Sequence, residues 1–253
     1  MLCKTSLCCA VFLCAAALPV SNANIASRRK SNTRTLQEKL GTRLSVFNTG
    51  TKPMVNVLVG LAFKYHLPLG LQYVDEAAVH RKLHLKLSNP TLIEALEETV
   101  RKLPEYKLDV AGGVVQIYSP KARAEPSNLL NARIRNFEVD GVDPHQASAD
   151  LGCSLARKVN PRIICFRSIV PGQWGALRIT LHMRNARVYE IIDAIAAQTR
   201  GAIWTVLVPP NETSSLGKDL WHIYPPNPAF RQTAIERLQT LFPSATPGDV
   251  GNQ

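Results

Sequence analysis

The stretch from Leu83 to Leu96 changes its apolar spacing at one point, from the period of a strand to that of a helix. Apolar residues alternate through Leu87, which is typical of a strand with one buried face. Asn89 and Pro90 then end the alternation, and Pro90 suits the first turn of a helix, where its missing N–H needs no partner. The leucines that follow stand at helical spacing. The sequence therefore predicts a strand that turns directly into a helix.

The same pattern returns 96 residues further on, with Ile179 in the place of Leu83. Residue type and spacing match at eight positions, so we interpret the chain as two copies of one small module. The repeated motif consists of an asparagine, two apolar residues and a glutamate: Asn89, Leu92, Glu94 and Leu96 in the first copy, and Asn185, Val188, Glu190 and Ile192 in the second. We expect each asparagine to cap the helix that follows it. The glutamates are expected on the helix surface, in water or beside a basic side chain.

The N-terminus has the composition of a secretory signal peptide. Lys4 precedes an apolar run over residues 7–20, and small residues follow at Ser21 and Ala23. This predicts cleavage after Ala23 and a periplasmic protein, with a signal anchor as the alternative. No later segment has the ~20 apolar residues of a membrane span.

Apolar periodicity and turn residues predict an α+β fold of two tandem β-α-β-β-α-β-β modules, each with two helices flanked by small sheets. Gly112 and Gly113 predict the hairpin that closes the first module. A longer loop, 209–218, replaces that hairpin in the second copy, where function could reside. The predicted division is signal peptide 1–23, flexible basic leader 24–41, first module 42–119, linker 120–129, second module 130–225, and C-terminal helix with disordered tail 226–253.

Signal cleavage would leave two cysteines, Cys153 and Cys165, in an oxidising compartment. A disulfide between them would close a short loop and add roughly 3 kcal/mol of stability in the chain-entropy account. However, on the helix expected around 145–159, Cys153 lies away from the face that carries Leu151. A disulfide and two semi-buried thiols therefore both fit the sequence.

The repeated module resembles the short N-terminal domain of secretins and TonB-dependent receptors. That family pairs an alternating strand and an asparagine with a Leu-x-Glu-Ala-Leu helix and a hairpin, and residues 83–118 match this order well. Residues 179–224 match less fully, because Ile191 and Ile192 replace Ala-Leu and the hairpin is longer. The resemblance implies a non-enzymatic protein that binds an envelope partner, such as a secretin or a TonB-dependent component. It names neither the partner nor the oligomeric state.

Catalytic, cofactor and metal sites are not predicted. His80 and His84 are four residues apart, but His84 lies in a strand pattern, so the two should not share a helical face. No nucleophile motif is present, although an unrecognised hydrolase or redox site remains a third hypothesis. The formal charge of +11 is dispersed apart from the basic leader, and no aromatic-basic motif indicates nucleic acid. A second hypothesis is therefore attachment to an anionic envelope polymer or membrane surface through the basic leader.

Overall fold

The computed structural model describes residues 36–72, 81–159, 161–162, 174, 176–199, 201–206, 221–226 and 235–236. The signal peptide, His80, Cys165, the 209–218 loop and most of the tail lie outside these residues, so the predictions about them stay predictions. The described residues form a mixed α and β fold with several sheets, which confirms the predicted mixture of helices and strands.

Five α-helices have both ends described, and a further helical stretch covers residues 36–40. They are α1 (Met54–Tyr65), α2 (Leu92–Arg101), α3 (Pro120–Ala124), α4 (Pro144–Val159) and α5 (Val188–Gln198). A 3-10 helix covers Leu129–Asn131. The strands are β1 (Val46–Asn48), β2 (Lys52–Pro53), β3 (Leu69–Gln72), β4 (Lys82–Leu83), β5 (Lys86–Ser88), β6 (Lys107–Ala111), β7 (Val114–Tyr118), β8 (Arg133–Val142), β9 (Ile179–Arg187), β10 (Ile203–Val206) and β11 (His222–Tyr224).

The main sheet has five strands in the order β11-β10-β3-β7-β6, so strands from both sequence copies share it. The sequence predicts separate small sheets for the two copies, and here the structure differs. β3 pairs in parallel with β7 on one side and with β10 on the other. Every residue of β3 and β10 is buried. Strands covered on both faces belong in the middle of a sheet, which explains why the two edges join.

Helices from the two halves cover opposite faces of this sheet. Leu71 and Ile203 belong to a core that also contains the buried residues of α1 and α2. Trp204 and Val206, the alternate residues of β10, belong to a second core with α4 and α5. Since successive side chains of a strand point to opposite faces, one short strand serves both cores. The result is three layers, with one sheet between two pairs of helices.

The alternating stretch of the first copy forms two strands instead of one. β4 pairs with β2, and β5 pairs with β1. Thr49 bridges the break: its hydroxyl donates to the Leu83 carbonyl at 3.2 Å and accepts from the Leu85 N–H at 2.9 Å. Leu83 and Leu85 are buried as predicted, and Leu87 is half-buried against the same core.

Several local predictions are confirmed. The helix expected around 145–159 is α4. Gly112 and Gly113 have φ of 62° and 82°, which suits the two-residue hairpin between β6 and β7. At the end of the predicted leader, where the sequence allows a short helical turn over 35–40, residues 36–40 are helical and two leucines there are buried in the first core. No helix of the described part is long and apolar enough to cross a membrane.

Candidate binding edge and the junction between the halves

The two repeated asparagines adopt left-handed backbone conformations. Asn89 has φ of 53° and Asn185 has φ of 49°. The predicted role as helix caps is wrong for Asn89, because Thr91 is the N-cap of α2 and its hydroxyl accepts the Glu94 N–H at 3.4 Å. At α5, Arg187 is the N-cap residue. Asparagine recurs because it enters the left-handed region more easily than most residues, and the turn from strand to helix requires that conformation.

The repeated glutamates, in contrast, complete the helix starts. Glu94 accepts the Thr91 N–H at 2.6 Å, and Glu190 accepts the Arg187 N–H at 2.7 Å. Each carboxylate reaches back across the first turn, as in a capping box. The hydrogen bond from the Thr91 backbone lowers the pKa of Glu94. The glutamates therefore have a structural role beyond the solvation that the sequence predicts.

The same hydrogen bonds surround both turns. The Arg43 guanidinium donates to the Asn89 carbonyl at 3.3 Å, and the Arg133 guanidinium donates to the Asn185 carbonyl at 2.6 Å. The N–H of the first residue of α2 binds the carbonyl of residue 42 at 2.9 Å, and that of α5 binds the carbonyl of Ala132 at 3.0 Å. The apolar residues of the motif, Leu92, Leu96, Val188 and Ile192, are all buried. The motif thus specifies local structure, and its residues are not gathered into one site.

At the junction of the halves, Trp204 of β10 lies against Gly70 of β3. The two residues are paired in the parallel register, and both are buried. A Cβ atom at Gly70 would stand 2.6 Å from Trp204 Cε2, so only glycine leaves room for the indole. Gly201, with φ of 137°, approaches the backbone of His66 in the same way, with 2.9 Å between a Cβ there and the His66 carbonyl carbon. Missing side chains therefore allow the halves to pack closely.

Asp193 of α5 is a buried carboxylic acid at this junction, 3% exposed. Its Oδ1 accepts the Trp204 indole N–H at 3.0 Å, and its Oδ2 accepts the Gln116 amide from β7. Burial raises the pKa of Asp193 to about 8, although both hydrogen bonds and the positive charge of Arg123 favour the ionised form. The acid connects strands of both halves in one polar cluster.

Arg123 joins the predicted linker to both halves. Its guanidinium donates to Gln116 Oε1 at 2.8 Å and to Gln72 Oε1 at 3.2 Å. It also lies 3.4 Å from the ring centroid of Tyr118 and 5.0 Å from that of Tyr189. Partial burial lowers the pKa of Arg123. An arginine is suited to this position because its planar group can stack and donate several hydrogen bonds together.

The remaining predicted site residues do not form a reactive cluster. His84, in the break between β4 and β5, and His182, in β9, are both exposed. Cys153 forms a disulfide, while its predicted pairing with Cys165 stays a prediction because Cys165 lies outside the described residues. In the described part of the chain, no group of three or more His, Cys, Asp or Glu side chains has the arrangement of a metal site.

β6 is one of the two edge strands of the main sheet, and it is the more exposed one. Within the described residues β6 pairs with β7 alone, and four of its five residues are exposed. Val110 is 36% exposed, whereas every residue of the central strands β3 and β10 is buried. An edge strand of this kind offers unpaired backbone groups to another extended chain.

The backbone of β6 can be assigned group by group. The Val110 N–H is bound at 2.8 Å by the carboxylate of its own neighbour Asp109, so it points away from β7. Its partner in the ladder, Val115, sends its N–H towards the opposite side, to the Pro68 carbonyl at 2.9 Å. Outward and inward residues alternate in an antiparallel ladder, so Leu108 also presents its N–H and C=O at the edge. The edge is accessible, and a carboxylate already occupies one of its donors.

Comparisons with known proteins give no relative. No family model matches the chain, no curated protein matches it, and no solved structure matches it.

Proposed function

We propose that this chain is a non-enzymatic protein-interaction module of the periplasm, which acts as an accessory or adaptor of an envelope secretion, pilus or TonB-linked system. In this proposal the chain consists of two tandem modules similar to the short N-terminal domain of secretins and TonB-dependent receptors. A partner adds an extended segment to the β6 edge of the main sheet. The single observation that carries the proposal is the exposed β6 edge.

The main sheet supports strand addition at β6 through its own construction. β10 occupies the same place in the second copy that β6 occupies in the first, since Ile203 faces Tyr224 as Lys107 faces Tyr118. The outer side of β10 is filled by a parallel strand, β3, whereas no described strand lies on the corresponding side of β6. A further strand at β6 would therefore repeat a pairing that the chain already makes internally.

The recurrent turns support the two-module part of the proposal. Each combines a left-handed asparagine, an arginine bound to its carbonyl, and a glutamate that closes the first turn of the helix. Two unrelated turns would not be expected to share all three features. This supports a duplication, with the two copies joined into one sheet.

The test is capture of envelope proteins on the immobilised chain, compared with the Val110→Pro variant. Proline lacks the outward N–H of Val110 and tolerates an edge strand, so the β6–β7 ladder should survive. We expect the variant to lose at least about nine-tenths of a captured partner. Val110→Ala is the matched control, because it removes most of the side chain and keeps the N–H. Equal capture by the native chain and by the proline variant would refute the use of this edge.

A second function is favoured by exposed cations on the β8–β9 ribbon and the adjacent end of α4. Four exposed basic residues form no ion pair with any described carboxylate: Arg133, Arg135, Lys158 and Arg184. Such a surface would attract an anionic membrane or envelope polymer. Sedimentation with anionic vesicles tests this alternative. Binding should weaken several-fold between 50 and 300 mM salt, because salt screens the attraction between exposed charges, and the screening length is already only about 10 Å at 0.1 M. Salt-independent binding would contradict it.

A further inference from the structure

We propose that two copies of this chain pair through their β6 edges, antiparallel and centred on Leu108. The inference rests on the proposed role of β6 as a binding edge and names a second copy as an occupant of that edge. The two five-stranded sheets would become one continuous sheet across a two-fold axis. A copy and an envelope partner would then compete for the same backbone groups.

The backbone of β6 restricts the ways in which two copies can meet. Leu108 and Val110 are the residues whose backbone groups face outward. A two-fold axis perpendicular to the sheet keeps each side chain on its own face of the sheet. Residues that face each other across the axis must then have their side chains on the same face, which requires one residue of the strand to face its own copy. Only three registers engage the outward groups, centred on Leu108, on Asp109 or on Val110.

The charges of β6 favour one of these registers. Centring on Asp109 would place the two Asp109 carboxylates directly opposite each other, which is unfavourable. Centring on Val110 would place Lys107 opposite Gly113 and Asp109 opposite Ala111, so neither charge would meet an opposite charge. Centring on Leu108 instead places Lys107 of each copy opposite Asp109 of the other, and this happens twice because of the symmetry.

The apolar residues fit the same register. Leu108 of one copy would lie opposite Leu108 of the other and exchange two backbone hydrogen bonds. Val110, one of the two large apolar side chains that are exposed among the described residues, would be partly covered. Asp109 would release the Val110 N–H and turn to Lys107 of the second copy. The carboxylate thus satisfies the edge donor in the monomer and forms an ion pair in the dimer.

Sedimentation velocity over a range of concentrations tests the pairing. We expect the native chain to dimerise with Kd on the order of 10–100 µM, because one short edge buries less area than a stable dimer requires. Lys107→Glu and Asp109→Lys each turn both cross-strand pairs repulsive and should raise Kd at least about tenfold. Lys121→Glu, on the exposed surface of α3, is the control for Lys107→Glu with the same change in charge and should leave Kd unchanged.

Mixing the two single variants gives the decisive result. A heterodimer of Lys107→Glu with Asp109→Lys has two complementary pairs, so the equimolar mixture should dimerise about as well as the native chain. Thermal unfolding of each variant checks that the fold is intact. The proposal is overturned if the native chain stays monomeric to several hundred micromolar, or if the mixture dimerises no better than its components.

The outcome for dimerisation is separable from the proposed envelope function. A monomeric chain that still captures an envelope partner, and loses it with Val110→Pro, would overturn the pairing of copies and leave the partner edge in place. If the charge variants raise the dimer Kd while Val110→Pro leaves the captured amount of envelope protein unchanged, the pairing would be supported and the partner edge refuted.

Discussion

Replacing Gly70 with alanine adds one methyl group at the closest contact between the halves. The new Cβ would lie 2.6 Å from Trp204 Cε2, 2.7 Å from Nε1 and 2.8 Å from Cζ2, whereas ordinary contacts are 3.4 Å or longer. The indole cannot move away freely, because its N–H is bound to Asp193 at 3.0 Å. The added methyl must therefore separate β3 from β10 or break that hydrogen bond.

The expected cost is the sum of two contributions, overpacking and the loss of the hydrogen bond, less a smaller gain. Overpacking a core typically costs about 1–3 kcal/mol. Leaving the indole N–H or the carboxylate without its partner costs about 1–3 kcal/mol more. Alanine regains about 0.4–1 kcal/mol by restricting the unfolded chain. We therefore expect Gly70→Ala to lower the free energy of unfolding by about 3 kcal/mol, within a range of about 1–6 kcal/mol.

Urea unfolding followed by tryptophan fluorescence measures this change, with Gly152→Ala as the matched control. A Cβ at Gly152, within α4, would meet Trp221 Cζ2 at an ordinary 3.9 Å. That variant should be more stable by ~0.5–1 kcal/mol, because alanine favours a helix. In a Trp204→Leu background, Gly70→Ala should cost at least about 1 kcal/mol less than in the native chain.

A Gly70→Ala chain as stable as the native protein would refute this account. It would mean that β3 and β10 do not meet in the register that places Gly70 beside Trp204. An equal cost in the Trp204→Leu background would instead show that the methyl group meets something other than the indole.

Three further predictions concern the junction acid and the repeated motif. The pKa of Asp193 is raised on folding to about 8, so the native chain should lose stability as pH rises from about 4 to about 8. Asp193→Asn should remove this part of the pH dependence when melting temperatures at pH 5 and 8 are compared. The same pH dependence in the native chain and the variant would show that the pKa of Asp193 is not raised. Asn89→Gly should be nearly neutral while Asn89→Val costs ~1–2 kcal/mol in urea unfolding, because φ there is 53°; equal stability of the two would contradict a required left-handed residue. Glu94→Ala should lower the free energy of unfolding at neutral pH, and this loss should shrink in acid as the carboxylate becomes protonated, because the hydrogen bond from the Thr91 backbone lowers the pKa of Glu94; a loss that is the same at every pH would exclude the charged cap.

Local structure could be predicted from the sequence because its causes are local. The change of period at Asn89 marks a strand followed by a helix, and Gly112-Gly113 marks a hairpin. The role of the asparagines was missed because a cap and a left-handed turn favour the same residue type. Thr91, two residues later, was the available sign that α2 has another cap.

The shared sheet could not be predicted, because it depends on contacts between residues far apart in the chain. Gly70 in a strand is a weak sign of close approach by another element, and Trp204 gives no indication of its partner. Asp193 was detectable in principle, since it interrupts the apolar run Ile191 to Ile195. An acid in such a run needs buried partners, but the sequence does not show that Gln116 and Arg123 supply interactions.

The parallel contact of β3 with β10 also determines an order of events during folding. β3 can pair with β7 soon after the first half is synthesised, but β10 lies far along the chain, and closing such a long loop is slow. Until then the first half has a second open edge, with Gly70 uncovered. Newly made chains are therefore most prone to pair with one another during this interval, and docking of Trp204 over Gly70 ends it.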